Sequence, residues 1–306
     1  MIKKTLQYKI TEKDQGKTVE QFLRSKGYSH RLVVKLRNSP TGLTIGGELA
    51  FTIHRLQAGE ILIATLEEEN SQNIVPVELP LNIVYEDEDI LVVNKDAGVP
   101  IHPSQGHFDH TLANAVAWYY QSKGQTLVYR AINRLDRDTT GLLVIAKHLL
   151  AGCILSDQML NRQIHRQYRA IVCGKTEKEG IIDAPIGRTE DSTVLRRIDF
   201  EHGETARTRY RLLSYDEEKD LSYISLKLDT GRTHQIRVSM AEIGCPLLGD
   251  GKYGKGDVNR RYHETRQALY SYKLRFDFPT DAGLLNYLNG QEFTVENVPF
   301  REKYFG

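Results

Sequence analysis

Apolar residues recur at two different periods along the chain. Thr18 to Lys26 places Val19, Phe22 and Leu23 on one face of a short helix. His30 to Arg37 does the same with Leu32, Val33 and Leu36, while Arg31, Lys35 and Arg37 turn outward. Thr41 to Leu66 reads as short strands around the Gly46-Gly47 turn, ending in Gly59-Glu60-Ile61-Leu62-Ile63. From residue 80 strands and helices interleave. Asp89 to Asn94 is a buried-strand run. Thr111 to Gln121 spaces Leu112, Ala115, Val116 and Tyr119 for one helical face. Gly141 to Lys147 is a second apolar strand, with a helix following through about Leu160. Tyr168 to Cys173, Thr205 to Leu213 and Tyr223 to Asp229 alternate as half-buried strands do, and Met240-Ala241-Glu242 falls on a short helix.

The pattern divides the chain at an acidic, then polar, then proline-bearing stretch. Glu67-Glu68-Glu69 gives way to Asn70-Ser71-Gln72-Asn73, Pro76 and Pro80. This predicts a small module over residues 1–68 and a larger domain over 80–306. The larger part lacks the regular βαβ spacing of a doubly wound fold, so the class expected is α+β with a large mixed sheet.

Composition narrows the class. A chain of 306 residues with 40% hydrophobic and 26% charged residues is long enough to bury a core, and neither disordered nor membrane-like in character. No apolar stretch approaches the ~20 residues of a membrane-spanning helix, and the first residues lack the apolar core of a secretory signal. Cys153, Cys173 and Cys245 share no metal-like spacing and read as reduced thiols of a cytoplasmic protein. The net charge of +1 hides an asymmetry: residues 1–60 hold eleven Lys and Arg against five Asp and Glu. A basic N-terminal part suits a polyanion such as RNA, and equally a solvated lysine-rich surface.

Three segments carry candidate chemistry. Ile132-Asn133-Arg134-Leu135-Asp136-Arg137-Asp138-Thr139-Thr140-Gly141 packs two Asp and two Arg before a buried strand, the place where a rigid scaffold presents catalytic groups. An Asp-rich turn that caps the strand would look the same. Asp229-Thr230-Gly231-Arg232-Thr233-His234-Gln235-Ile236-Arg237-Val238 has a tight turn at Gly231, after which hydrogen-bonding side chains alternate with apolar ones. It suits phosphate or carboxylate contacts, or the end of a cationic hairpin. In Arg166-Gln167-Tyr168-Arg169-Ala170-Ile171-Val172-Cys173-Gly174, Tyr168 taken alone is core packing.

In order and wording these segments resemble the RluA family of pseudouridine synthases, whose signature loop reads His-Arg-Leu-Asp-Arg-Asp-Thr-Ser-Gly. The likeness extends over roughly residues 80 to 278. It takes in Tyr85 to Lys95, His102-Pro103-Ser104, Asp183 to Arg188, Ala206 to Tyr210, Pro246 to Gly254 and Arg266 to Leu269. Asn133, Asp96 and Ser239 depart from the residues usual in the family, which are His, Pro and His. The N-terminal part resembles a degenerate S4-like RNA-binding module, with Gly46-Gly47 where an Asn-Gly is common.

The resemblance implies the pseudouridine synthase fold, a large, mixed, mainly antiparallel sheet flanked by helices. It implies isomerisation of uridines in structured RNA, with ribosomal RNA favoured and transfer RNA next. Asp136 is then the nucleophile that attacks C1′ or abstracts the 2′ proton, Arg237 the guanidinium that keeps it ionised, and Tyr168 the ring on the uracil. Arg134, Arg232, His234 and Gln235 become candidates for substrate contact. Asp138, the other nearby carboxylate, is expected to be structural, fixing the loop through Arg137 or backbone amides. The reaction is redox-neutral, so no metal and no cofactor is expected. The partner expected is RNA rather than a membrane, and the protein is expected to be a monomer. Two rivals remain at this stage. One is a non-catalytic RNA-binding protein or ribosome assembly factor on a decayed synthase fold. The other is a hydrolase using Asp136 and Asp138 as paired acids.

Overall fold

A computed structural model describes residues 2–69 and 74–306. The N-terminal part runs β1 (Ile2–Lys9), α1 (Val19–Ser25), α2 (His30–Arg37), β2 (Leu43–Ile45), β3 (Glu48–Leu49) and β4 (Ile61–Glu68). The large part continues with β5 (Ile83–Glu86), β6 (Ile90–Lys95), α3 (Leu112–Ser122), β7 (Thr140–Ala146), α4 (Leu149–Leu160), β8 (Ile164–Cys173), β9 (Glu179–Asp183), β10 (Ile186–Thr189) and β11 (Ser192–Ile198). Then come β12 (Arg207–Asp216), β13 (Leu221–Leu228), α5 (Gln235–Glu242), α6 (Gly256–Arg261), β14 (Leu269–Phe276), β15 (Glu292–Thr294) and α7 (Pro299–Phe305). Asn70 to Asn73, on which the expected boundary partly rests, lie outside the described residues.

Local chemistry accounts for the first helices. Thr18 and Gln21 form a reciprocal capping box on α1, and the Ser29 side chain accepts from Leu32 N at the start of α2. The expected helices therefore stand where the periodicity puts them. Strand β1 is an addition. Its residues alternate between half-buried and exposed, but the inward set is Ile2, Lys4, Leu6 and Tyr8. Lys4 interrupts the apolar row, and its charge is met from another sheet, by Asp89 at 2.8 Å.

Two sheets and one hairpin organise the molecule. Strands β1-β4-β2-β3 form an antiparallel sheet. The large sheet has nine strands in the order β5-β6-β7-β14-β8-β13-β12-β9, with β15 beside β14, and β10 and β11 pair as a separate hairpin. Strands β14 and β7 pair in parallel, at Tyr270↔Thr140 and Ser271↔Gly141. Every other pairing in that sheet is antiparallel among the described residues. This is the large, mixed, mainly antiparallel α+β sheet the sequence implies. Gly141 is required where β7 meets β14: at φ 113°, a Cβ there would lie 2.3 Å from the Ser271 carbonyl oxygen.

Residues on β6 and β7 divide between two apolar layers. Ile90, Val92, Leu142, Val144 and Ala146 join α4 and the core of the N-terminal part in one cluster. Leu91, Val93, Leu143 and Ile145 join α3, Leu135, Tyr168 and Ile236 in the other. The N-terminal sheet is thus separate in hydrogen bonding but shares its core with one face of the large sheet, and the opposite face carries the polar site. Among the described residues, no helix is long and apolar enough to cross a membrane.

Candidate active site

The loop between Ile132 and strand β7 is braced at several points. Asn133 is buried; its Oδ1 accepts from Val144 N at 2.9 Å and its Nδ2 donates to Leu142 O at 3.4 Å. The departure from His at this position therefore serves as a brace to β7. Thr139 N donates to Asp136 O, closing a turn around the carboxylate, and Gly98 N donates to Arg137 O. Lys95, only 2% exposed, donates to the carbonyls of Asp96, Val99 and Arg137 at 2.8 to 2.9 Å. Burial pulls its ammonium down to about 8, against the opposing pull of Asp138, Asp136 and Asp96.

From 101 residues further along, Arg237 donates to Asp136 Oδ2 through Nη1 at 2.9 Å. The rest of its fork is held by Asp250, with Nε to Oδ2 at 2.7 Å and Nη2 to Oδ1 at 2.8 Å. Asp250 also accepts from the backbone amides of Lys252 and Tyr253. Burial pushes its carboxyl up, but Arg237 and those amides outweigh burial and hold it below the usual carboxylate range. Burial pulls the Arg237 guanidinium down, but the Asp250 and Asp136 carboxylates outweigh it and shift it up. A bidentate pair fixes the plane of the guanidinium, so its remaining nitrogen is aimed at Asp136 before any substrate arrives.

Arg237 lies on α5. The short helix expected at Met240-Ala241-Glu242 is present, and it begins earlier, at Gln235. Gln235, Ile236, Arg237, Val238, Ser239 and Met240 are all buried, so no amphipathic period could announce it. His234 precedes the helix in the left-handed region, φ 58° and ψ 17°, a conformation that costs a non-glycine residue roughly 1–2 kcal/mol. The Gln235 amide is spent internally. Its Oε1 accepts from Thr230 Oγ1 and Arg232 N, and its Nε2 donates to Arg207 O and Thr208 Oγ1. Those four bonds exhaust an amide side chain. Gln235 therefore spends its hydrogen bonds on holding the 230–235 turn.

Asp136, Tyr168, Arg237, Arg134, Arg232, His234 and Gln235 all line one pocket. Tyr168 stands on the central strand β8, in register with Leu226 of β13 and Ser271 of β14. Leu228, Ile236 and Leu269 give the pocket apolar walls. Arg232 is partly engaged, donating through Nε to Thr205 O at 3.1 Å and pairing with Glu204. Arg166, not singled out from the sequence, joins them with its guanidinium against Gly231. Arg134, Arg166 and Arg232 also line a groove of about 650 Å³ that leads away past Arg162, His165 and Lys227. Asp138 is tied to Arg137 at 3.2 and 3.0 Å, the structural part expected of it. Asp250 and Tyr253, like Arg166, are site residues that sequence reasoning missed. Both lie in the segment Pro246 to Gly254, where neither periodicity nor charge density marks them.

Among the described residues no group of three or more His, Cys, Asp and Glu side chains could hold a metal. Residues 89–242 match the family model for RNA pseudouridylate synthase. The uncharacterized RNA pseudouridine synthase YjbO of Bacillus subtilis is 38% identical over 264 residues, covering 86% of this chain and 91% of its own. The ribosomal large subunit pseudouridine synthase D of Vibrio cholerae is 38% identical over 235 residues, 74% of this chain and 72% of its own. Among solved structures, human RNA pseudouridylate synthase domain containing 1 superposes with a TM-score of 0.59 at 28% identity. That match covers 71% of this chain and 84% of the human one. The chain belongs to the RNA pseudouridylate synthase family.

Proposed function

We propose that this protein converts uridines of structured RNA to pseudouridine with Asp136 as the nucleophile, ribosomal RNA being the favoured substrate and transfer RNA the next. The observation that carries the reading is the single open carboxylate. Asp136 is held through one oxygen by a guanidinium that a fully buried second carboxylate has already fixed, and it shares its pocket with a buried tyrosine. The isomerisation breaks N1–C1′ and forms C5–C1′; C5 gives up its proton and N1 takes one, so no electrons are exchanged. One ionised carboxylate at the sugar–base junction is what this needs, whether it attacks C1′ or removes the 2′ proton. The Tyr168 ring and the Leu228, Ile236 and Leu269 walls suit a uracil taken out of its stack, a step that costs a few kcal/mol.

Backbone contacts would offset part of that cost. Arg134, Arg166 and Arg232 at the pocket mouth, with Arg162, His165 and Lys227 along the groove, suit the phosphates beside the extruded nucleotide. Arg31, Lys35 and Arg37, exposed on α2, suit a second RNA contact by an S4-like N-terminal module. The ribosomal preference draws on relatives named for the large ribosomal subunit. A hydrolase with paired acids is disfavoured, because Asp138 is bound to Arg137 and Asp250 is closed off by Arg237. The test is pseudouridine mapping of ribosomal and transfer RNA from cells lacking the protein and from cells given it back. At least one ribosomal site is expected to disappear and return. Sites that change in transfer RNA alone would overturn the ribosomal preference.

A further inference from the structure

The turn after Asp250 supplies a second side chain to the site. The hydroxyl of Tyr253 accepts a hydrogen bond from the backbone N–H of Arg196 at 2.9 Å and lies 2.8 Å from His234 Nδ1. Its ring meets the imidazole edge to face, with centroids 5.6 Å apart, and the Arg237 guanidinium lies 5.1 Å from its centre. His234 turns its other nitrogen, Nε2, towards Asp136 Oδ2 at 3.9 Å.

A phenol has one hydrogen to give. With the Arg196 amide already donating to the oxygen, the arrangement that uses every partner places that hydrogen on His234 Nδ1. Nδ1 is then an acceptor, and a neutral imidazole must carry its own hydrogen on Nε2, the atom that faces Asp136. Burial disfavours the imidazolium. Arg237 and Lys252 act in the same direction, Asp136 and Asp250 oppose them, and the net effect is downward. The left-handed backbone of His234 is the conformation in which the ring spans Tyr253 on one side and Asp136 on the other.

We propose that Tyr253 is a positioning residue that fixes His234 in the Nε2–H form, so that a neutral donor stands beside the charged Arg237 donor at Asp136 Oδ2. Both donors address the same oxygen, which turns Oδ1 to the sugar. A second full cation at this point would hold the carboxylate's charge too tightly for an oxygen that must share its electrons with C1′. A neutral N–H orients it without that cost. At 3.9 Å the N–H is a short shift from a direct bond, and such bonds commonly tighten when substrate binds. Arg196 belongs to the β10–β11 hairpin, so the seating of that hairpin is connected to the nucleophile through one hydroxyl.

The proposal rests on Asp136 acting on uridine, yet the tautomer can be read without substrate. The full chain, with 15N-labelled histidine, is examined by long-range 1H–15N correlation, and His234→Gln identifies the signal. The wild type is expected to show a protonated Nε2 and a bare Nδ1. Tyr253→Phe keeps the ring beside Arg237 and removes the hydroxyl. It is expected to let the Nδ1–H form appear and to lower kcat about tenfold, with KM for RNA within about twofold. In a His234→Gln background the same change is expected to add nothing further. A proton on Nδ1 in the wild type, or an unchanged tautomer and kcat in Tyr253→Phe, overturns the proposal. The expected tautomer in a wild type that isomerises no uridine would instead overturn the functional reading and leave the tautomer assignment standing.

Discussion

Two buried carboxylate–cation junctions in this molecule are built from the same kinds of groups and differ in what they leave open. Where the N-terminal sheet meets the large one, Glu68 is 4% exposed and both its oxygens are taken, Oε2 by Arg130 and Oε1 by the backbone amide of Leu149. Beside it Asp89 Oδ1 receives Lys4 and His148, each at 2.8 Å. At the pocket, Asp250 is closed in the same manner, but the guanidinium it holds keeps one nitrogen for Asp136, whose side chain is still 25% exposed. A carboxylate with both oxygens taken, as in Glu68 and Asp250, joins parts of a fold. A carboxylate that a fixed cation holds through one oxygen, and that lines a pocket, can do chemistry. Burial and charge alone do not separate the two, nor does an unbonded oxygen, which Asp89 has as well; Asp136 differs in lining the pocket.

The sharpest way to break the comparison is at Arg237. Arg237→Met would leave Asp250 buried without its partner. A loss of about 3–5 kcal/mol in unfolding free energy is expected, read by denaturant titration, and kcat should fall by more than about a hundredfold. Arg237→Lys, which keeps the charge without the fork, should recover part of the stability and little of the rate. Glu68→Gln probes the closed junction. It should cost about 1–3 kcal/mol, since the Arg130 charge loses its ionised partner, while kcat on RNA stays at the wild-type value. A fall in kcat there would mean that the two junctions are not separate in function.

Acid should weaken both junctions together. Burial pushes the Asp89 and Asp250 carboxyls up, but their cation partners more than offset it, and both titrate below the ordinary range in the fold. As pH falls, the unfolded chain therefore takes up protons first. The stability these groups contribute is complete above about pH 4 and is lost as pH drops through their depressed folded values. Asp250→Asn should flatten its share of that dependence in acid unfolding curves. The smallest effects are expected at the pocket mouth. Arg134→Ala and Arg166→Ala should each raise KM for RNA and reduce the salt slope of binding by about 1, with kcat little changed.

Much of this was legible in the sequence, for reasons that differ by element. Helix α2 spans His30 to Arg37 as its period and the Ser29 cap dictate, because a local cap and an amphipathic face are written in neighbouring residues. The seven site residues lie in three polar segments that resemble a known family, and all three converge on one pocket. Strand β1 was not legible, since Lys4 on its inner face is satisfied by Asp89, 85 residues away. The start of α5 was hidden because a helix buried on every side has no polar face to give it a period. Asp250, Tyr253 and Arg166 act only through residues brought to them by the sheet. A lone Asp between two glycines, a turn tyrosine and a strand arginine carry no local mark of that use. Gln235 shows the converse: its residue type suits substrate recognition, and only its four bonds show that it holds the 230–235 turn.

The central claim is tested most directly by tritium release. RNA carrying tritium at uridine C5 is given to the wild-type protein and to Asp136→Asn, and label released to water is measured under conditions where both bind the RNA. C5 loses its hydrogen when it becomes the carbon bonded to the sugar. The wild type is expected to release label and Asp136→Asn to release none above background. Release by Asp136→Asn at the wild-type rate would contradict the assignment of the nucleophile. Binding without release by the wild type, on both ribosomal and transfer RNA, would contradict the reaction itself.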